Sequence, residues 1–234
     1  MKLIELFEDE YKPKNITDIF RTSNGLDELI NKIETECSDI VEAYRMAHAP
    51  LYRGISESNS ELVLDVKIRP DREPRQMDIE WHNKLHAAFL EYGLKATRKN
   101  SIFCTTRKDI ADDWGKTYMV FPRNGWTSTV FEGIKDDYAF NDLRYIRHQI
   151  HSAKISSPHD MIKFIASKMA EFGPKSLTQP HQMAKVIEEK YLDILITGSS
   201  YIAVDAKSPA IVSKILNGLK ITDSTPGVVP KKVK

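Results

Sequence analysis

The sequence predicts an α+β fold, and three observations support this prediction. Apolar residues recur at the helical spacing of three and four over residues 26–44 and 78–92. Short β-branched and aromatic runs alternate with Ser, Asn, Gly and Pro, as strands do with loops. The last two runs are joined by Thr197-Gly198-Ser199-Ser200, which is typical of an antiparallel hairpin. Helices combined with short antiparallel strands indicate the α+β class.

Each element is bounded by residues that start or stop regular structure. Pro50 ends the first helix, Gly93 ends the second as a left-handed C-cap, and Pro122 ends a strand. We predict helices over residues 26–44, 78–92, 108–114, 160–172 and 180–191. We predict strands over residues 51–55, 61–68, 101–106, 117–121, 193–196 and 201–204. Residues 123–128 are expected to form a mobile loop, and residues 144–151 are loop-like.

Composition limits the protein class. The chain has 234 residues, with 34 Lys plus Arg against 33 Asp plus Glu and 41% hydrophobic residues. A charge so near neutral gives no chain-wide footprint for nucleic acid, so nucleic acid is not an expected partner. No apolar run reaches the roughly 18 residues of a membrane span. Only Cys37 and Cys104 are present, which suits a reducing compartment, and a cytoplasmic location is expected.

One domain accounts for most of the chain. Residues 1–24 combine an acidic amphipathic start with a Pro break and are interpreted as an N-terminal arm. Residues 222–234 carry Pro, Gly and like charges and are interpreted as a flexible tail. Between them, residues 25–221 contain no linker rich enough to separate two units, so they form the predicted domain.

Some possible sites have simpler structural explanations. His82 and His86 are spaced like metal ligands on a helix, but position 83 is Asn and no third ligand is evident, so no metal is expected. Cys104 lies in an apolar strand and is interpreted as a buried, inert thiol rather than a nucleophile. Arg144 and Arg147 with their neighbouring histidines suggest an anion-binding face, although a solvated helix face explains them better.

Three elements do not fit a purely structural explanation. Leu51-Tyr52-Arg53-Gly54-Ile55 puts an arginine in mid-strand, where a buried guanidinium requires an anion, and Gly54 allows another group to approach closely. Ser101-Ile102-Phe103-Cys104-Thr105-Thr106 ends in two hydroxyls that can bind a ligand or brace a neighbouring backbone. In Tyr191-Leu192-Asp193-Ile194-Leu195-Ile196, a carboxylate opens an apolar strand.

Together these elements resemble the mono-ADP-ribosyltransferases of the Arg-Ser-Glu class, in particular their phage-encoded branch. Arg53 is similar to the family arginine, and Phe103-Cys104-Thr105-Thr106 is similar to the strand that ends in hydroxyls. Residues 111–122 resemble the helix and strand of the phage branch, and residues 193–204 resemble the hairpin that carries the family glutamate. The resemblance implies two small mixed or antiparallel sheets that form an NAD cleft, with helices packed outside.

The sequence departs from the family pattern at two positions of the site. Cys104 stands where the first hydroxyl belongs, and Asp193 stands where a glutamate belongs, which shortens the carboxylate by one methylene. Tyr191 occupies the position that the resemblance links to the type of residue modified, so the acceptor residue is left open. Glu188 and Glu189 could replace Asp193 only if the strand began earlier than predicted.

The resemblance implies an NAD-dependent protein ADP-ribosyltransferase encoded by a phage and acting on a host protein. NAD is then the substrate, with Arg53, Gly54, Thr105, Thr106 and Trp126 as its binding residues. Asp193, Arg53 and Thr105 are the expected catalytic residues. Arg53, expected to be mostly buried, pairs with the NAD phosphates, and Asp193 stabilises positive charge on the ribose. Trp126 is expected on the loop over the site, where it can stack on a ring.

Two other classes of function stay open. One is a catalytically weakened relative that acts as a virion or interaction protein, since Asp193 and Cys104 depart from the pattern. The other is a nucleic-acid-associated module that uses Arg144, Arg147 and the Lys-bearing tail. Leu3-Ile4-Glu5 and Leu6-Phe7-Glu8 resemble phage prohead-protease sites, which favours virion association weakly.

Overall fold

The computed structural model describes residues 14–18, 24–55, 61–74, 77–131, 139–191 and 193–221. Its α-helices are α1 Gly25–Glu36, α2 Ser38–Ala47, α3 Ile79–Glu91, α4 Lys108–Asp113, α5 Ala139–Ser152, α6 Pro158–Met169, α7 Pro180–Glu188 and α8 Pro209–Gly218. Its strands are β1 Lys14–Asn15, β2 Leu51–Ile55, β3 Val63–Lys67, β4 Ile102–Cys104, β5 Lys116–Pro122, β6 Thr127–Phe131, β7 Pro174–Leu177, β8 Ile194–Thr197 and β9 Ser200–Asp205. The α+β prediction is confirmed.

The strands form two antiparallel sheets. The order is β1-β3-β9-β5-β2 in the larger sheet and β4-β8-β6-β7 in the smaller one. The hairpin β8–β9 passes from one sheet to the other, and each of its strands lies between two others. This hairpin therefore supplies an inner strand to both sheets.

Two apolar clusters cover the faces of the sheets. The first packs α1, α2, α7 and α8 against the larger sheet and one face of the smaller sheet, with Ile33, Tyr44 and Phe121 fully buried. The second packs α3, α5 and α6 around Phe131 and Leu195 of the smaller sheet. Alternate residues of β8 therefore point into different cores, as the two-residue period of a strand requires.

Local chemistry explains where several helices begin and end. The side chain of Asp78 accepts a hydrogen bond from the backbone nitrogen of Trp81 at 2.9 Å, which caps α3. Pro158, Pro180 and Pro209 each occupy the first turn of a helix, where the missing N–H costs nothing. Gly93 follows α3 with a positive φ of 88°, as the sequence predicts.

The structure corrects several sequence-based predictions. The long helix predicted over residues 26–44 is two helices that meet at Cys37, whose thiol donates a hydrogen bond to the backbone oxygen of Phe121 at 3.3 Å. The loop predicted over residues 123–128 is shorter in the structure, because Gly125 turns the chain and β6 begins at Thr127. Residues 144–151 are helical and belong to α5. The strand β7 and the helix α8 have no counterpart in the prediction.

The domain boundaries are partly revised. Residues 14–15, assigned to the N-terminal arm, form β1 and pair with β3 at the edge of the larger sheet. The fold continues to Ile221, which is 1% exposed. Residues 1–13 of the arm and the predicted tail 222–234 lie outside the described residues.

Candidate functional site

A backbone bridge joins an edge strand of the larger sheet to the chain just after β4 of the smaller sheet. Tyr52 of β2 donates to the oxygen of Thr105 at 2.8 Å, and Thr105 donates back to the oxygen of Tyr52 at 2.8 Å. Cys104 of β4 pairs with Ile194 of β8. Asp193, which directly precedes β8, therefore lies beside the end of β4, next to Thr105. We call this region the junction site and define it by Arg53, Arg72, Arg98, Phe103, Thr106 and Asp193.

Arg53 is held against the smaller sheet by its guanidinium. Its Nη1 atom donates to the backbone oxygen of Phe103 at 3.0 Å, and its positive charge opposes the rise that burial causes in the pKa of Tyr201. The Nε atom is buried and has no hydrogen-bond partner. The side chain is half-buried rather than mostly buried, because β2 is an edge strand of the larger sheet. Arg53 therefore brings a guanidinium to the junction site and is anchored through Nη1 to the smaller sheet.

The two threonines have different contacts. The hydroxyl of Thr106 donates to the backbone oxygen of Tyr191 at 2.9 Å and so braces the segment that carries Asp193. This bracing role is one that the sequence predicts. Thr105 is fully buried, and its hydroxyl accepts a hydrogen bond from the nitrogen of Arg107 at 3.2 Å. Thr105 therefore shapes the turn into α4, and its side chain is closed to solvent.

Asp193 is half-buried and lies close to a cation. Burial lowers the pKa of Arg98 to about 10, and the nearby charge of Asp193 opposes that shift. The other carboxylates considered from the sequence are elsewhere. Glu188 and Glu189 lie exposed at the end of α7, and Glu189 pairs with Lys185 at 3.7 Å. Asp193 is thus the carboxylate at the strand end, as predicted.

Sequence reasoning missed Arg72 and Arg98. The guanidinium carbons of Arg72 and Arg98 lie 5.5 Å and 5.0 Å from the centre of the Phe103 ring. The Nη1 atom of Arg72 donates to the backbone oxygen of Ser101. Both arginines come from irregular segments, so no periodicity marks them. Together with Arg53 they bring three guanidinium groups to one phenylalanine, an arrangement that suits phosphate binding.

Gly54 and Trp126 do not have the roles that the sequence suggested. A Cβ atom at Gly54 would lie 2.3 Å from the backbone oxygen of Ala111 and 2.6 Å from the Cβ atom of Trp114. The group that approaches Gly54 closely is therefore α4, not a ligand. Trp126 is 3% exposed and belongs to the first apolar cluster, where it packs beside Gly198. Because its ring is buried, Trp126 is not exposed over the site.

The remaining candidates are structural. Cys104 is fully buried, as predicted, and burial raises the pKa of its thiol to about 12, which is consistent with an unreactive thiol. His82 contacts the backbone oxygen of Arg72, whereas His86 contacts the hydroxyl of Thr97. Across the described residues, no three His, Cys, Asp or Glu side chains are grouped as metal ligands.

The basic face suggested from the sequence falls on α5. The guanidinium carbon of Arg147 lies 5.8 Å from the centre of the Trp81 ring, so this side chain packs on α3. The side chain of Arg144 lies outside the described residues. Within the parts of the chain that the structure describes, no helix has the length and apolar character to cross a membrane.

Comparisons with protein-family models, with curated proteins and with solved structures found no match to this chain.

Proposed function

We propose that this protein is an NAD-dependent mono-ADP-ribosyltransferase with an ADP-ribosyltransferase-like fold. In this proposal the enzyme is phage-encoded and modifies a host protein in the host cytoplasm, with NAD as the substrate and no metal. The single observation that supports it best is the meeting of three distant motifs at the junction site. Arg53 in the middle of β2, Thr106 just after β4 and Asp193 just before β8 are each more than fifty residues apart in sequence and come from three adjoining strands.

The contacts at this site suit the charge distribution of NAD. Arg53, Arg72 and Arg98 surround Phe103 and supply positive charge for the diphosphate. Asp193 is the negative group, on the segment that Thr106 braces. A diphosphate bound by the arginines can direct the nicotinamide ribose toward Asp193. Positive and negative groups at one site suit a ligand that has two phosphates and a ribose that becomes cationic in the transition state.

The reaction breaks the bond between nicotinamide and C1′ of its ribose. Nicotinamide leaves with the bonding electron pair, and the ribose develops positive charge at C1′ and its ring oxygen. The carboxylate of Asp193 stabilises that charge through the ribose hydroxyl it contacts. A nucleophilic side chain of the acceptor protein then attacks C1′ and loses its proton to solvent. No covalent bond to this chain is required.

A series of Asp193 variants tests the proposal. Nicotinamide release from NAD is measured for wild type, Asp193→Asn and Asp193→Glu. If Asp193 supports the transition state, Asp193→Asn lowers the rate by about 10²- to 10³-fold, as loss of one electrostatic group typically does. Asp193→Glu should then crowd the site and give no gain. Equal and substantial rates in all three proteins would refute the role of Asp193.

A weakened enzyme is the second candidate, favoured by one observation. Asp193 has a short side chain, and its negative charge lies near Arg98 in the free protein. If this carboxylate is set too far back, the wild type barely cleaves NAD, and Asp193→Glu restores cleavage because the added methylene extends its reach. That result would identify a site that retains NAD binding and serves a virion or interaction protein.

The acceptor is identified by labelling. The protein is incubated with a labelled NAD analogue, with and without host lysate, and every labelled species is identified by mass spectrometry. Label on a host protein supports transferase activity. Release of nicotinamide without any labelled protein would instead indicate NAD hydrolysis.

A further inference from the structure

Arg72 is anchored on three sides. Its backbone nitrogen donates to the oxygen of Lys99 at 2.8 Å, and its Nη1 atom donates to the oxygen of Ser101. Its backbone oxygen is 3.1 Å from the Nε2 atom of His82. Because a carbonyl oxygen only accepts hydrogen bonds, this contact requires the proton of His82 on Nε2. The position of Arg72 over Phe103 therefore depends on a side chain from α3.

His82 is well suited to fix this position. It is 2% exposed, so its ring is confined by the surrounding core and cannot follow a displaced loop. His86, one turn further along α3, points elsewhere and contacts the hydroxyl of Thr97 at 2.8 Å. His82 thus contacts the backbone oxygen of Arg72 directly, whereas His86 is half-buried and contacts Thr97, whose hydroxyl accepts a hydrogen bond from the nitrogen of Lys99 at 3.2 Å.

Arg53 and Arg72 lie near the same buried side chains. Burial raises the pKa of Cys104 and of Tyr201, and the positive charges of both arginines oppose each rise. Both also contact Phe103. Arg53 donates to the backbone oxygen of Phe103, and the guanidinium of Arg72 lies over the Phe103 ring. Because both guanidinium groups contact Phe103, one anion with two phosphates can contact both.

We propose that Arg72 binds one phosphate of the NAD diphosphate while Arg53 binds the other, and that His82 is the positioning residue for Arg72. This inference rests on the proposed function, because it names residues for the same ligand. Arg72 contacts the substrate in this arrangement. His82 does not, and acts only through the backbone oxygen of Arg72.

The test compares ligands with two phosphates and one phosphate. Dissociation constants for ADP-ribose and for AMP are measured by calorimetry with wild type, Arg72→Ala, His82→Leu and His82→Gln. Arg72→Ala should weaken ADP-ribose binding about tenfold, the effect of losing one hydrogen bond to a charged group, and should change AMP binding less. His82→Leu should likewise lower the ratio of the affinity for ADP-ribose to the affinity for AMP. His82→Gln should restore it, because its amide nitrogen can donate to the oxygen of Arg72.

His86→Leu is the comparison variant, since His86 reaches Arg72 only indirectly, through Thr97 and Lys99, and its loss should change the ratio of the two affinities less than His82→Leu does. An unchanged ratio of the two affinities in Arg72→Ala would overturn the inference. A wild-type ratio in folded His82→Leu would overturn the role of His82. If His82→Leu does not fold, the comparison of Arg72→Ala with His82→Gln still decides the phosphate contact. Failure of wild type to bind either ligand would instead refute the proposed function itself.

Discussion

Replacing Gly54 by alanine separates two explanations of this residue. The sequence suggested that Gly54 admits a ligand, whereas the structure puts α4 against it. An alanine Cβ would lie 2.3 Å from the oxygen of Ala111 and 2.7 Å from the backbone carbon of Trp114. Both are backbone atoms, so relief requires α4 to move by about 1 Å, an overpacking that typically costs 1–3 kcal/mol.

This cost can be measured as a change in melting temperature. For a chain of this size, 1 kcal/mol corresponds to roughly 2–4 °C, so Gly54→Ala should lower the Tm by about 2–12 °C. The assay is thermal unfolding followed by circular dichroism. Gly198→Ala is the matched control, because its Cβ would meet Trp126 at an ordinary contact distance of 3.5 Å. A Gly54→Ala protein with the Tm of wild type but weaker NAD binding would refute the packing explanation and restore the ligand explanation.

Two further predictions concern the junction site and the buried histidines. Thr106→Val loses the hydrogen bond to the oxygen of Tyr191 and should destabilise the fold by about 1 kcal/mol. It should also lower nicotinamide release more than it weakens NAD binding, and Thr106→Ser should retain both properties. Burial lowers the pKa of His82 and His86, so the unfolded chain binds more protons than the folded one at mildly acidic pH. The free energy of unfolding in urea should therefore fall as the pH decreases from about 7 to about 5, and His82→Gln should reduce that dependence. A pH-independent free energy of unfolding would contradict this sign.

The sequence predicted the elements that have strong local signals. Strand β2 and helix α3 were predicted within a residue or two, because Pro50 and Gly93 bound them and their apolar spacing is regular. Strand β6 was missed because Trp126 and Gly125 look like loop residues. The structure shows that Gly125 makes a tight turn and that the indole is buried in the core. Burial of a loop-like segment depends on contacts from distant residues, which local patterns do not record.

The candidate site was predictable where a motif lies on a strand. Arg53 lies within β2, Thr106 follows β4 and Asp193 precedes β8, and the sequence drew attention to each of them. Arg72 and Arg98 lie in segments without periodicity, and only their approach to Phe103 identifies them. No pattern within either segment indicates this contact.

The inner position of the hairpin β8–β9 has a consequence for folding. Residues 194–205 lie late in the chain, yet β9 stands between β3 and β5 in the larger sheet, and β8 stands between β4 and β6 in the smaller one. Most strand pairings therefore join residues far apart in sequence, which predicts slow folding. During synthesis neither sheet can be completed until this hairpin has emerged from the ribosome. Because both sheets share the hairpin, loss of it should unfold them together in one cooperative transition.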